Sequence, residues 1–180
     1  MSRPVFLIGY RGAGKTEVAR LLGPLLGWPW LDADTLLEER AGRTIRQIFA
    51  DEGEPGFRAR EAAIIQELSQ LQDHVIATGG GVILRPDNRV ALKRGAVVWL
   101  HAPPEILWQR MQADATTTER RPNLAQGGIA EIEAMLRVRL PFYQECQDFA
   151  VDTSAFAQEH AATAIAEWLA QRKPFAGPPG

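Results

Sequence analysis

The sequence predicts an α/β fold in which a parallel sheet carries helices on both faces. Three observations predict it. Short β-rich apolar runs alternate with helical stripes along the chain, the order that consecutive βαβ units produce. No period repeats and no linker divides the chain, whose 180 residues suit one ordinary domain. A glycine-rich stretch stops the first strand and opens the first helix, and in parallel sheets ligands gather beyond such strand ends.

Val5-Phe6-Leu7-Ile8, stopped by Gly9, reads as a buried strand. From Lys15 to Leu26 the apolar residues Val18, Ala19, Leu21, Leu22, Leu25 and Leu26 form one helical stripe, ended by Gly27. Trp28-Pro29-Trp30-Leu31 leads into Asp32-Ala33-Asp34 as a second strand. Helical patterns follow over Thr35 to Ala41 and Thr44 to Ala50, then over Phe57 to Leu71 after an interruption at Gly53, Pro55 and Gly56. His74 to Thr78 is a third strand, Ala96 to His101 a fourth and Phe149 to Asp152 a fifth. Helices are expected over Asn88 to Arg94, Pro104 to Ala113, Ile129 to Cys146 and Ala155 to Arg172.

Composition narrows the function. At 46% hydrophobic and 23% charged, the chain reads as globular. Its net charge of −2 lacks the basic excess of a nucleic-acid binder, so any anion site must be local. The single cysteine, Cys146, excludes a disulfide framework or a cysteine zinc cluster and suits a reducing, cytoplasmic setting. The apolar run near the start is too short for a signal peptide or a membrane span. His74, His101 and His160 lack metal-ligand spacing, and Trp99, Trp108 and Trp168 fall on apolar stripes.

Gly9-Tyr10-Arg11-Gly12-Ala13-Gly14-Lys15-Thr16 matches G-x-x-x-x-G-K-[ST] between a strand and a helix. Glycines there let successive N–H groups face phosphate oxygens, and the helix N-terminus adds positive charge. Lys15 is placed for the β- and γ-phosphates and the Thr16 hydroxyl for Mg²⁺. The competing reading is a glycine-rich turn with a chance lysine. The D-x-x-G and N-K-x-D signatures of a GTPase are missing and the chain is short for a motor. Small-molecule kinases are what remain.

Asp32 and Asp34 stand two residues apart at the expected end of the second strand. Alternate strand residues share a face, so both carboxylates are expected in the cleft. A kinase needs one acid for the Mg²⁺ shell and another for the acceptor hydroxyl. The alternative makes Asp34 only the N-cap of the helix opening at Thr35.

From here the chain resembles the shikimate kinase family. Beyond the phosphate loop the similarity runs through Trp30-Leu31-Asp32-Ala33-Asp34, Ile48-Phe49, Gly53-Glu54, Phe57-Arg58-x-x-Glu61 and Ala77-Thr78-Gly79-Gly80-Gly81. It continues through Arg121-Pro122, Arg139-x-Pro141-x-Tyr143 and Val151-Asp152-Thr153. The resemblance implies a three-layer fold like that of nucleoside monophosphate kinases, with a five-stranded parallel sheet and a mobile lid. It implies ATP-dependent phosphorylation of the shikimate 3-hydroxyl, with Mg²⁺ as cofactor. Two alternatives stay open: a kinase of another small acid such as gluconate, and a nucleotide-binding module without catalysis.

The resemblance also implies roles. Arg58 and Arg139 match carboxylate binders, a job suited to guanidinium forks. Gly79, Gly80 and Gly81 match the substrate-contacting triple, and Glu61 is one turn from Arg58, where it would fix that side chain. Asp34 receives the reacting hydroxyl; Asp32, with Thr16, holds Mg²⁺. Lys15, Asp34 and Arg121 are the catalytic set. Arg11, Gly12, Ala13, Gly14, Lys15, Thr16, Arg110 and Arg121 are the nucleotide set. Arg110 either stacks on adenine or lies on a solvated helix face, and Arg120 competes with Arg121 for the phosphates. The expected organisation is one P-loop kinase domain over 1–172, monomeric, with a lid at about 114–128 and a flexible tail over 173–180.

Overall fold

A computed structural model describes residues 3–114, 128–154 and 157–172. The expected lid, all but its ends Asp114 and Gly128, and the expected tail over 173–180 lie outside the described residues. So do Arg120 and Arg121.

β1 (Val5–Ile8) is the middle strand of a five-stranded, wholly parallel sheet. Its neighbours are β3 (Val75–Ala77) and β4 (Ala96–His101), with Val5 opposite both Val75 and Ala96. β2 (Trp30–Asp32) and β5 (Phe149–Asp152) are the edges, giving the order β2-β3-β1-β4-β5. Because all strands run one way, Ile8, Asp32, Ala77, His101 and Asp152 end at a single edge of the sheet.

The period of two along β1 sorts its residues between two cores. Val5 and Leu7 face one side, with Val18 and Leu22 of α1 (Lys15–Leu26), Leu107 of α5 (Pro104–Ala113) and Ile165 of α7 (Gln158–Gln171). Phe6 and Ile8 face the other. There they meet α2 (Ala33–Ala41), α3 (Ile45–Leu68), α4 (Pro86–Leu92) and Tyr143 and Cys146 of α6 (Gly128–Cys146). All four β1 side chains are fully buried, which explains an apolar run without polar alternation. Cys146 is a buried free thiol in this second core, as a small hydrophobe would be.

Three departures from the expected elements bear on the site. β2 ends at Asp32 and α2 begins at Ala33, so Asp34 is a first-turn helix residue and not a strand residue. The two helices expected around Gly53 form one broken run, Ile45–Leu68, in which only Gly53 leaves helical geometry (φ 68°, ψ −174°). Pro55 fits because it opens the second segment, where a backbone N–H has no helical partner to lose. A short 3₁₀ turn, Val82–Leu84, follows the triple glycine before α4.

Candidate active site

The phosphate loop joins β1 to α1. Gly14, the residue before α1, takes φ 87°, a left-handed angle open chiefly to glycine, and no side chain caps the helix. The first-turn N–H groups of α1 are thereby left for an anion. Lys15 is buried, and its ammonium donates to the carbonyls of Gly9 and Tyr10, each at 2.9 Å. Arg11, Gly12, Gly14, Lys15 and Thr16 line a cleft of about 570 Å³ that also takes in Asp32, Asp34, Thr78, Gly79, Gly80 and Arg110.

Asp32 uses its two oxygens separately. Oδ1 accepts the N–H groups of Asp34 and Thr35 at 3.0 and 3.1 Å, which makes Asp32 the N-cap of α2. Oδ2 accepts the Thr16 hydroxyl at 2.7 Å. The expected strand-face argument thus fails, and so does the alternative that makes Asp34 the cap. The helix turn brings Asp34 to the cleft instead: a Cβ added to Gly79 would stand 2.9 Å from Asp34 Oδ1. Thr16 and Asp32 together present only hard oxygen donors, the set Mg²⁺ prefers. Among the described residues no cluster of three or more His, Cys, Asp or Glu forms a self-sufficient cation cage.

Two guanidinium groups meet the glycine triple. The terminal nitrogens of Arg58 lie so close to Gly81 that an added Cβ would sit 2.5 and 2.6 Å from them. Glu61, 3% exposed, accepts from Arg58 Nη1 at 2.8 Å and Glu54 accepts from Nε at 3.3 Å, which fixes the fork. Arg139 donates from Nη1 to the Gly80 carbonyl at 3.2 Å and lies over the Tyr10 ring. It is 8% exposed, and its buried Nε meets no acceptor among the described residues. A buried cation with a spare donor favours an anionic ligand.

Two contributors carry no assigned role in the sequence reading. The Tyr143 hydroxyl donates to the same Gly80 carbonyl at 2.9 Å, and burial pushes its pKa above the ordinary phenol value. The four-residue step from Arg139 to Tyr143 on a helix was the available signal. Thr153, at the end of β5, donates to the Ala13 carbonyl at 3.2 Å and accepts from Arg110 Nη1 at 3.0 Å. Arg110 also reaches the Gly12 carbonyl at 3.3 Å. It is therefore half-buried against the phosphate loop, and the solvated-face alternative is excluded. Arg121, expected over the phosphates, lies outside the described residues.

Fold and site together define the class. A phosphate loop opening on a cleft of this size, flanked by a carboxylate and beyond it by paired cations, is that of a P-loop kinase of small molecules. The shikimate kinase family model matches residues 11–170. A shikimate kinase of Rhodopirellula baltica is 45% identical over 152 residues, 83% of this chain and 81% of that protein. One of Symbiobacterium thermophilum is 41% identical over 170 residues, 93% of this chain and 97% of that protein. The solved structure of a shikimate kinase from Acinetobacter baumannii in complex with shikimate is 38% identical, covers 94% of each chain and superposes with a TM-score of 0.88. The chain belongs to the shikimate kinase family.

Proposed function

We propose that this chain transfers the γ-phosphoryl group of ATP to the 3-hydroxyl of shikimate, giving shikimate 3-phosphate and ADP, a step of aromatic amino-acid biosynthesis. One observation carries the choice of acceptor. Arg58 and Arg139 converge on Gly80 and Gly81, one residue from Gly79, against which Asp34 packs. A ring that places its carboxylate between the two guanidinium groups presents a hydroxyl toward Asp34 and the phosphate loop. Relatives of 41% identity and above that carry the shikimate kinase name favour this acceptor over a gluconate-type one.

The residues divide the work by position. The loop N–H groups of Gly12 to Thr16 cradle the phosphates, and Lys15 turns from the Gly9 and Tyr10 carbonyls to the β- and γ-oxygens. Asp34 accepts the hydroxyl proton and aligns its oxygen in line with phosphorus. The two arginines hold the far end of the acceptor through charge-assisted bonds. Thr16 and Asp32 would hold Mg²⁺, which when bound neutralises charge on the phosphate oxygens. Arg110 borders the nucleotide through Gly12 and Thr153, and Arg121, by the family resemblance, serves the phosphates. That a pure binding module would need no acceptor-aligning acid argues for catalysis.

Coupled ADP release decides the matter, with shikimate, gluconate and a nucleoside monophosphate offered side by side. Turnover should appear with shikimate and depend on Mg²⁺. Equal or faster turnover of gluconate rejects the acceptor, and ATP binding without product rejects catalysis.

A further inference from the structure

The break in α3 is spanned by an ion cluster that the mechanism above does not use. Glu52 is the last residue before Gly53, where the backbone departs from the helix. Its Oε2 accepts from Arg60 Nε and its Oε1 from Arg60 Nη2, both at 2.9 Å. The same Oε1 accepts a short bond from Arg43 Nη2, and Arg43 Nη1 donates to Asp51 at 3.0 Å. One carboxylate therefore ties a residue ahead of α3 to a residue beyond its break. Arg60 and then Arg43 lower the Glu52 carboxyl to about 2, so it is ionised at neutral pH.

A second observation does not depend on charge. Gly56 lies within the second helical segment and takes no positive φ, so its backbone does not call for glycine. Among helix residues only proline is poorer. A Cβ at Gly56 would collide with the Glu52 Cβ and come within 2.9 Å of its Oε2. The missing side chain is the space through which Glu52 reaches Arg60. Arg58 and Arg60 stand about 200° apart around the helix, so this grip holds the side of the segment away from Arg58.

We propose that Glu52 is a positioning residue for the acceptor: with Arg60 and Arg43 it sets the angle of the α3 break, and hence the seat of the Arg58 guanidinium against Gly81. The inference rests on the reading of Arg58 as a carboxylate binder. It assigns Glu52 to shikimate binding and not to the phosphate loop, which α3 does not build.

The test uses Glu52→Gln, which keeps the shape and loses the charge, and Gly56→Ala, which displaces Glu52 and keeps its charge. Each should raise the shikimate KM by about tenfold and leave kcat and the ATP KM within about twofold, the scale of coupling within one bonded network. In an Arg58→Leu background, Glu52→Gln should add nothing, because it acts through Arg58. Thermal unfolding checks that each variant folds; where Glu52→Gln does not, Glu52→Asp, which shortens the reach, takes its place. An unchanged shikimate KM in folded Glu52→Gln and Gly56→Ala, with Arg58→Leu raising it, overturns the proposal alone. An unchanged KM in Arg58→Leu overturns the reading beneath it. A parallel rise in the ATP KM, or additive losses in the double variant, reduces Glu52 to general support and also overturns the proposal.

Discussion

Gly81→Ala tests the seat of Arg58 without removing a charged group. Gly81 has φ −105° and ψ 7°, angles that alanine adopts, so the backbone is not strained by the change. The new methyl would lie 2.5 and 2.6 Å from the Arg58 terminal nitrogens and 2.8 Å from Cζ, where ordinary contact begins at 3.4 Å. The guanidinium must retreat by about 1 Å. It cannot turn aside freely, since buried Glu61 holds Nη1 at 2.8 Å. A displacement of about 1 Å in a group that positions substrate costs up to ~10²-fold, so the shikimate KM should rise ~10- to 100-fold. Initial rates from coupled ADP release, with shikimate varied at saturating ATP, measure it. The ATP KM should stay within about twofold, and Tm should hold, because alanine restricts the unfolded chain more than glycine does. A shikimate KM within about twofold of wild type would refute the claim that Arg58 must stand against Gly81 to bind a carboxylate.

Three further outcomes follow from the same geometry. Asp34→Asn should lower turnover ~10²–10⁴-fold with ATP affinity preserved, and retained turnover would confine Asp34 to orientation; single-turnover rates and ATP titration check both. Asp32→Ala removes the α2 cap as well as the proposed cation ligand, so it should lose about 1 kcal/mol of stability in urea unfolding besides raising the Mg²⁺ requirement. Burial, with Glu145 beside it, pushes the Cys146 thiol from 9.0 up to about 11. Through that window the unfolded chain gives up the proton first, so stability falls as pH rises; below about pH 9 the contribution is complete. Cys146→Ala should therefore show a shallower loss of stability between about pH 8 and 10.5 in urea unfolding, and an identical slope would contradict the buried thiol.

The phosphate loop was legible in the sequence because its chemistry is local. Gly12, Gly14 and Lys15 act through their own backbone angles and one side chain, and eight consecutive residues contain them. The strands were legible for a related reason: a strand buried on both faces must be apolar throughout, as Val5 to Ile8 is. The expected place of Asp34 on a strand failed because the Asp32 carboxylate captures the next N–H groups and starts the helix two residues early. That competition between strand pairing and a cap depends on Thr16 and β3 standing alongside.

What the chain determined by itself was the alternation of elements, the phosphate loop and the residue types available to a carboxylate and a hydroxyl. Tertiary structure alone decided which of them meet. Arg139 comes within reach of the Gly80 carbonyl 59 residues earlier in the chain, and Thr153 within reach of Ala13 across 140. Arg58 finds its seat where the second segment of the broken α3 passes Gly81. Contacts over such separations have no period or spacing to betray them, since the packing of two cores on one parallel sheet creates them.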